Sequence, residues 1–242
     1  MRLSERIGQW IRNQVEAAGA AGILIGLSGG IDSAVVAILG RRAMGDQVFA
    51  LLMPCHSLIE DERDALLVAQ TFGIRSQRVD LSPVYEAFLQ QLPDGGEMCR
   101  ANLKPRLRMT TLYYFANKLN YLVAGTGNKS ERLMGYFTKY GDGGADLFPL
   151  GDLTKAQVRE LAEELEVPAR IINRPPSAGL WDGQTDEEEM NISYEDLDKI
   201  IVSLERREVS GLPKARISYV KGMIARSGHK RGMPPVFHLK SV

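Results

Sequence analysis

Cysteine is scarce in this chain: only Cys55 and Cys99 occur among 242 residues, with no Cys-x-x-Cys spacing. That scarcity argues against a disulfide framework or a cysteine zinc site and points to a reducing compartment, the cytoplasm. An excess of charge of one sign is missing as well, since Lys plus Arg and Asp plus Glu number 30 each. A balanced chain has no global field to steer it toward nucleic acid or an anionic membrane, so neither is expected as a partner, and any basic site must be local. A long unbroken apolar run is also lacking. From Ala17 to Gly40 only Asp32 is charged, yet a polar Ser-Gly-Gly-x-Asp-Ser insert and repeated glycines interrupt the stretch and argue against a membrane span. There is no internal repeat and no low-complexity tail. The first residues intersperse Leu3, Ile7, Trp10, Ile11 and Val15 with Arg2, Glu5, Arg6 and Arg12, which reads as an amphipathic helix and not as a signal peptide. The length suits one α/β domain over 1–242, large enough to bury roughly 70–75% of its unfolded surface without cross-links.

What the chain does contain is the octet Gly26-Leu27-Ser28-Gly29-Gly30-Ile31-Asp32-Ser33. It follows the apolar run Ile23, Leu24, Ile25 and precedes Ile31, Ala34, Val35, Ile38 and Leu39 at helical spacing, so it sits where a strand turns into a helix. Such a junction is an anion site. Glycines let backbone N–H groups turn inward, Ser28 and Ser33 add hydroxyl donors, and the helix dipole points its positive end at the same spot. The Gly-Lys-Ser/Thr ending of a Walker A loop is absent, and so is the dinucleotide fingerprint. Asp32 would repel a phosphate unless a cation lay between them, and Mg2+ resolves that conflict.

Strand-like runs near 23–27, 48–53, 77–81 and 121–125 alternate with helical patterns near 31–43, 58–72, 83–91 and 101–118. That alternation predicts an α/β, doubly wound, mostly parallel sheet with helices on both faces, a Rossmann-like arrangement. Ligands then collect beyond the carboxyl ends of the strands, where Ser28 and Thr126 both fall. Thr154-Lys155-Ala156-Gln157 has capping-box spacing before an apolar helical face, and Ser193 opens a further helix. The glycine-rich stretch 133–153 has no regular period and is expected to include a lid, mobile over 136–146. The acidic run Asp186 to Glu189 reads as a solvated loop.

Two patterns lead elsewhere. Gly125-x-Gly127 after a strand suggests dinucleotide binding, but Ser130 stands where the third small residue belongs. Cys55 beside His56 suggests a thiol nucleophile, but neighbours on a strand point to opposite faces, and a structural thiol is expected. Read alone, Glu131 is either a first-turn helix acid or a partner of Asp32 for a cation. Lys155 opens a helix, where the dipole disfavours a cation, so its position asks for an anion nearby.

Ser28-Gly29-Gly30-Ile31-Asp32-Ser33 resembles the signature loop of the ATP pyrophosphatases, the adenine nucleotide alpha hydrolase-like superfamily. Within it, Gly125-Thr126-Gly127-Asn128-Lys129-Ser130-Glu131, the run Gly135-Tyr136-Phe137-Thr138-Lys139-Tyr140-Gly141-Asp142-Gly143-Gly144-Ala145-Asp146 and Pro176-Ser177-Ala178-Gly179-Leu180-Trp181 are similar to the ammonia-dependent NAD synthetases. The likeness extends from about Gly22 to Pro234. It implies an enzyme that amidates deamido-NAD to NAD with ammonia: the nicotinate carboxylate attacks the α-phosphate of ATP, pyrophosphate leaves, and ammonia displaces AMP from the adenylate.

The resemblance also implies a set of site residues. ATP would be held by Gly26, Leu27, Ser28, Gly29, Gly30, Ile31, Asp32, Ser33, Thr126, Lys155 and Ser177, and Mg2+ by Asp32 and Glu131. Arg106, Lys139, Asp146, His229 and Lys230 would hold deamido-NAD, and Asp32, Glu131, Lys155 and Asp146 would be catalytic. Ser177 stands where many relatives carry threonine, which keeps the hydroxyl. Without the resemblance, Arg106 with Arg100, Lys104 and Arg108 reads as a solvated basic face, and His229-Lys230-Arg231 as a flexible tail. The family implies a homodimer. The chain is too short for a fused glutaminase, which leaves free ammonia or a separate glutaminase subunit as the nitrogen source. Rival readings are another ATP pyrophosphatase, acting in nucleotide amidation or tRNA thiolation, and a catalytically silent nucleotide-binding protein.

Overall fold

β1 (Gly22–Gly26) pairs in parallel with β2 (Val48–Leu52) and β4 (Tyr121–Ala124), all apolar runs, and β2 pairs in parallel with the edge strand β3 (Arg75–Arg78), giving the order β3-β2-β1-β4. The structure is a computed structural model and describes residues 1–181, 183–208 and 211–239. Because successive side chains alternate across a strand, Ile23 and Ile25 enter one core and Leu24 the other. The first core joins α1 (Leu3–Ala17), α2 (Ile31–Met44), α3 (Ile59–Thr71) and α7 (Lys155–Glu164) to the sheet. The second lies beneath α4 (Ser82–Gln91) and α5 (Gly96–Leu119). Burial on both faces explains why the central strands are continuously apolar, and the predicted doubly wound sheet is present.

The chain winds from β1 to β2 in one direction and returns to place β4 on the other side of β1, so the strand order reverses between β1 and β4. The loops leaving these two strands face each other across the resulting crevice. A third apolar cluster, with Met134, Met190, Tyr194, Leu197, Ile201 and Val220, lies beyond the sheet. It joins α6 (Lys129–Met134), α9 (Asp186–Met190), α10 (Tyr194–Arg206) and α11 (Lys214–Arg226). The short helices α8 (Ala169–Ile172) and α12 (Gly228–Arg231) complete the order.

Several expectations change. β3 begins two residues before the predicted 77, and α5 begins at Gly96 and not at 101. The segment 136–146 has the bonding of fixed turns: Gly141 and Gly143 donate to the Thr138 carbonyl, Gly144 to Gly141, and Asp146 to Val123. Its glycines answer close approach, since a Cβ on Gly143 would stand 2.4 Å from the Phe137 ring. The acidic run is helical as α9, and Asp186 is buried at 4% exposure. Among the described residues no helix is long and apolar enough to cross a membrane.

Candidate active site

The octet forms the turn from β1 into α2. Gly29 has φ of 84° and lies so close to α3 that a Cβ would stand 2.3 Å from the Asp61 carbonyl oxygen. Ser33 Oγ donates to the Gly30 carbonyl at 2.9 Å and accepts the Ser28 N–H at 3.2 Å, with the two hydroxyls 3.1 Å apart. Gly30 is the N-cap of α2 and offers no side chain, so no side chain caps the first amides of that helix. A turn locked by its own serines and a helix start without a side-chain cap make a site for an anion.

Asp32, in the first turn of α2, faces the loop after β4. Asn128 is fully buried there and caps α6, accepting the Glu131 N–H at 3.0 Å while the Glu131 carboxylate accepts the Asn128 N–H at 3.2 Å. Asn128 also donates its Nδ2 to Asp32 Oδ1 at 2.9 Å. The capping box therefore aims Glu131 and at the same time ties the β4 loop to the β1 loop.

Between the two carboxylates stands Lys155, the first residue of α7, with its Nζ 2.5 Å from Asp32 Oδ2 and 3.1 Å from Glu131 Oε1. These are the anions its helix-start position calls for. Burial works against the ammonium charge, but Asp32 and Glu131 more than offset that penalty and raise the Lys155 pKa. Burial also drives the Glu131 carboxyl pKa upward; Lys155 counters this, while Asp32 and Asp186 reinforce it. Tyr194 at the start of α10 completes the cluster. Its hydroxyl is 2.9 Å from Asp186 Oδ2 and 3.2 Å from Glu131 Oε1, and its ring lies 5.0 Å from the Lys155 ammonium. Burial and these carboxylates push the phenol upward, so it remains a donor.

A second group gathers around the turns of 135–142. Lys230 Nζ donates to the carbonyls of Gly135 and Phe137 at 2.8 and 2.9 Å. Lys139 Nζ donates to the His229 carbonyl at 2.7 Å, and Arg106 reaches the Lys139 carbonyl at 3.5 Å. A cavity of about 90 Å³ is lined by residues of both groups, including Glu131, Tyr136, Phe137, Asp142, Phe148 and Lys230. Asp142 is accessible to this cavity yet surrounded by protein, which raises its carboxyl pKa.

The structure thus brings Asp32, Glu131 and Lys155 together beside the octet, and Arg106, Lys139, His229 and Lys230 around one set of turns. Asp146 joins neither group: its carboxylate accepts the Val123 N–H at 2.7 Å and the Tyr113 hydroxyl at 3.0 Å, a bridge between β4 and α5. Thr126 lies half-buried on the β4 loop. Ser177 is exposed and accepts the Gly179 N–H at 3.1 Å, in a stretch tethered to α3 by Arg174 on Asp61. The basic face of α5 divides: Arg106 is exposed, but Lys104 is buried with Nζ 2.7 Å from the Leu180 carbonyl. Arg108 points inward to the Met53 carbonyl at 3.2 Å. The supposed tail is α12, where Arg231 clamps the carbonyls of Arg132 and Leu133 at 3.0 Å.

Sequence reasoning passed over Asn128, Tyr194 and Arg231. Asn128 carried a usable signal, the Asn-x-x-Glu spacing of a capping box. Cys55 is buried and burial raises its pKa, as a structural thiol requires. Among the described residues no three His, Cys, Asp or Glu side chains converge as a metal site. Asp32 and Glu131 supply two converging carboxylates. Their chemistry suits Mg2+, which binds through one or two carboxylates and fills its remaining positions with phosphate oxygens and waters, and the ion would have to take the place between them that Lys155 Nζ holds.

The NAD synthase family profile matches residues 3–234. An NH3-dependent NAD+ synthetase of Archaeoglobus fulgidus is 48% identical, over 100% of this chain and 98% of its own length. The solved structure of an NMN synthetase from Francisella tularensis superposes with a TM-score of 0.90 at 37% identity, covering 98% of both chains. That of an NH3-dependent NAD synthetase from Campylobacter jejuni, in complex with nitrate ion, gives 0.85 at 30% identity, again over 98% of both chains.

Proposed function

The chain belongs to the NAD synthase family, and on that footing we propose how its site makes NAD from deamido-NAD, ATP and ammonia. The protein is an ammonia-dependent ligase. The observation that carries the reading is the convergence of Asp32, Glu131 and Lys155 beside the Ser-Gly-Gly-x-Asp-Ser turn at the start of α2.

A carboxylate is a poor acyl electrophile, so the nicotinate oxygen must first be activated. Ser28, Ser33 and the amides of Gly29 to Asp32 hold the pyrophosphate that leaves, with Gly26, Leu27, Thr126 and Ser177 bordering ATP. Asp32 and Glu131 would hold Mg2+, which supplies charge neutralisation for the departing phosphates. Lys155, aimed by both carboxylates, keeps a cation within reach of the phosphate oxygens. Arg106, Lys139, His229 and Lys230 would hold the anionic dinucleotide beside the turns of 135–142. Preorganised charge of this kind requires no reorganisation at the moment of reaction and is usually the largest catalytic contribution. Asp146 supports the site through β4 and does not touch substrate. We further assign the protein to the cytoplasm and to a homodimer, the latter because Val84, Phe88 and Leu92 at α4 and Met98 and Tyr114 on α5 leave large apolar surface exposed. Free ammonia is the nitrogen donor in this reading, and a separate glutaminase would only supply it.

Incubation with ATP, Mg2+, ammonium and deamido-NAD should give NAD, AMP and pyrophosphate in equal amounts, and glutamine as sole donor should give none. Release of ADP would overturn the adenylate route. The likeness to the Francisella NMN synthetase favours a second acceptor, nicotinate mononucleotide. A higher kcat/KM for the mononucleotide in the same assay would make that the principal substrate.

A further inference from the structure

Behind the charged cluster, on α10, lies a carboxylate that the chemistry above does not use. Asp198 is 7% exposed; its Oδ1 accepts the Ser130 hydroxyl at 2.5 Å and its Oδ2 accepts the Ala156 N–H at 2.8 Å. Ser130 Oγ in turn accepts the Lys155 N–H at 3.2 Å. Ser130 precedes Glu131 in α6, and Lys155 and Ala156 open α7. One buried carboxylate therefore holds the side chain of Ser130, next to Glu131, and the main chain of Ala156, next to Lys155.

An ordinary helix cap does not account for this arrangement. α7 already has its own capping box, in which the Thr154 N–H donates to Gln157 Oε1 at 2.9 Å and Thr154 Oγ1 accepts the Gln157 N–H at 3.4 Å. Burying a further carboxylate costs free energy unless its hydrogen bonds are made with good geometry, and here they are made to two different elements. The hydroxyl between Asp198 and the Lys155 amide fixes the backbone from which the lysine side chain reaches Asp32. Tyr194, one turn earlier on α10, holds the Glu131 side chain. The same face of one helix thus fixes the backbone under the lysine and the side chain of the glutamate.

We propose that Asp198 is a positioning residue of the reaction: through Ser130 and the start of α7 it sets the aim of the Lys155 ammonium at the phosphates of ATP. This rests on the reading of the cluster as an ATP site. Misplacing a catalytic group by about 1 Å from a distant mutation lowers rates by on the order of 10²-fold, and Asp198→Ala is expected to lower kcat by that order. KM for deamido-NAD should stay unchanged, because the basic turns are not touched.

The test is a double-mutant cycle in the full chain with Asp198→Ala and Lys155→Met, read as kcat and as affinity for a non-hydrolysable ATP analogue with Mg2+. If Asp198 acts through Lys155, its substitution changes both quantities in the wild-type background and neither in the Lys155→Met background. Asp198→Asn, which keeps an acceptor for the Ala156 N–H, should recover an intermediate kcat. Equal fold losses in both backgrounds, or a lowered thermal midpoint with kcat intact, would overturn the proposal. Should Asp198→Ala fail to fold, Ser130→Ala removes only the bridging hydroxyl and enters the same cycle. Coupling in ATP affinity without amidation of deamido-NAD would sink the acceptor reading alone, whereas amidation without coupling would sink only the role of Asp198.

Discussion

A methyl group on Gly29 would stand 2.3 Å from the Asp61 carbonyl oxygen, on a backbone whose φ is 84°. Both the clash and the left-handed conformation oppose any other residue, so Gly29→Ala must open the octet or push α3 aside. It should destabilise the fold by more than about 1 kcal/mol and abolish measurable ATP binding, checked by urea unfolding and by calorimetric titration. Asp32→Asn should separate function from folding, because asparagine keeps the oxygen that accepts from Asn128 while losing the charge and the acceptor that face Lys155, which Glu131 still holds. Its cost is expected at about 2.7–4 kcal/mol in the barrier, seen as a fall in kcat with little change in the thermal midpoint. Glu131→Gln should match it, since glutamine serves equally at the third position of a capping box. At this scale the sequence was legible where chemistry is local. The octet and the cap at Thr154 could be read directly, whereas the bond from Asn128 to Asp32 spans 96 positions and no spacing rule reaches that far. Asp146 shows the same limit: its commitment to Val123 and Tyr113 depends on where β4 and α5 meet.

At the scale of the element, periodicity placed the central strands and helices within a residue or two, apart from the start of α5, and failed at the edge strand β3. β3 was expected at 77–81 because Val79 and Leu81 are apolar, but the paired residues are Arg75 to Arg78, all exposed. Pairing with Phe49 through Leu52, and not hydrophobicity, sets the register of an edge strand. The 136–146 segment looked mobile because it is rich in glycine, and glycine marks either freedom or a close approach. Here it marks approach, and hydrogen exchange should therefore show the amides of Gly141, Gly143, Gly144 and Asp146 protected without any nucleotide. Rapid exchange there, slowed on adding ATP analogue and deamido-NAD, would restore the lid. The stretch around Ser177, which is exposed and has no regular secondary structure, is the better candidate for movement.

At the scale of the whole molecule, the sheet order β3-β2-β1-β4 follows from strands alternating with helices, and the crevice follows from the reversal beside β1. Of the extra layer, α10 is legible through its N-cap Ser193, whereas α9 and α11 are not, because the apolar face of the layer covers α6, a short element with no long periodic pattern of its own. The exposed apolar residues of α4 and α5 argue for a partner copy, so sedimentation velocity should find a dimer, and Phe88→Glu should shift it toward monomer. Finally, the clamp of Lys230 and Arg231 on the carbonyls of Arg132 to Phe137 joins parts of the chain 93 to 99 positions apart. A ribosome adding about 5–20 residues each second needs roughly 5–20 s to make that interval. For that time the nascent protein can already hold its parallel sheet and glycine turn while α6 lacks its clamp. Premature termination just before α12 should thus release a folded scaffold that is inert, and the cell would meet the chain as a catalyst only after α12 has been made.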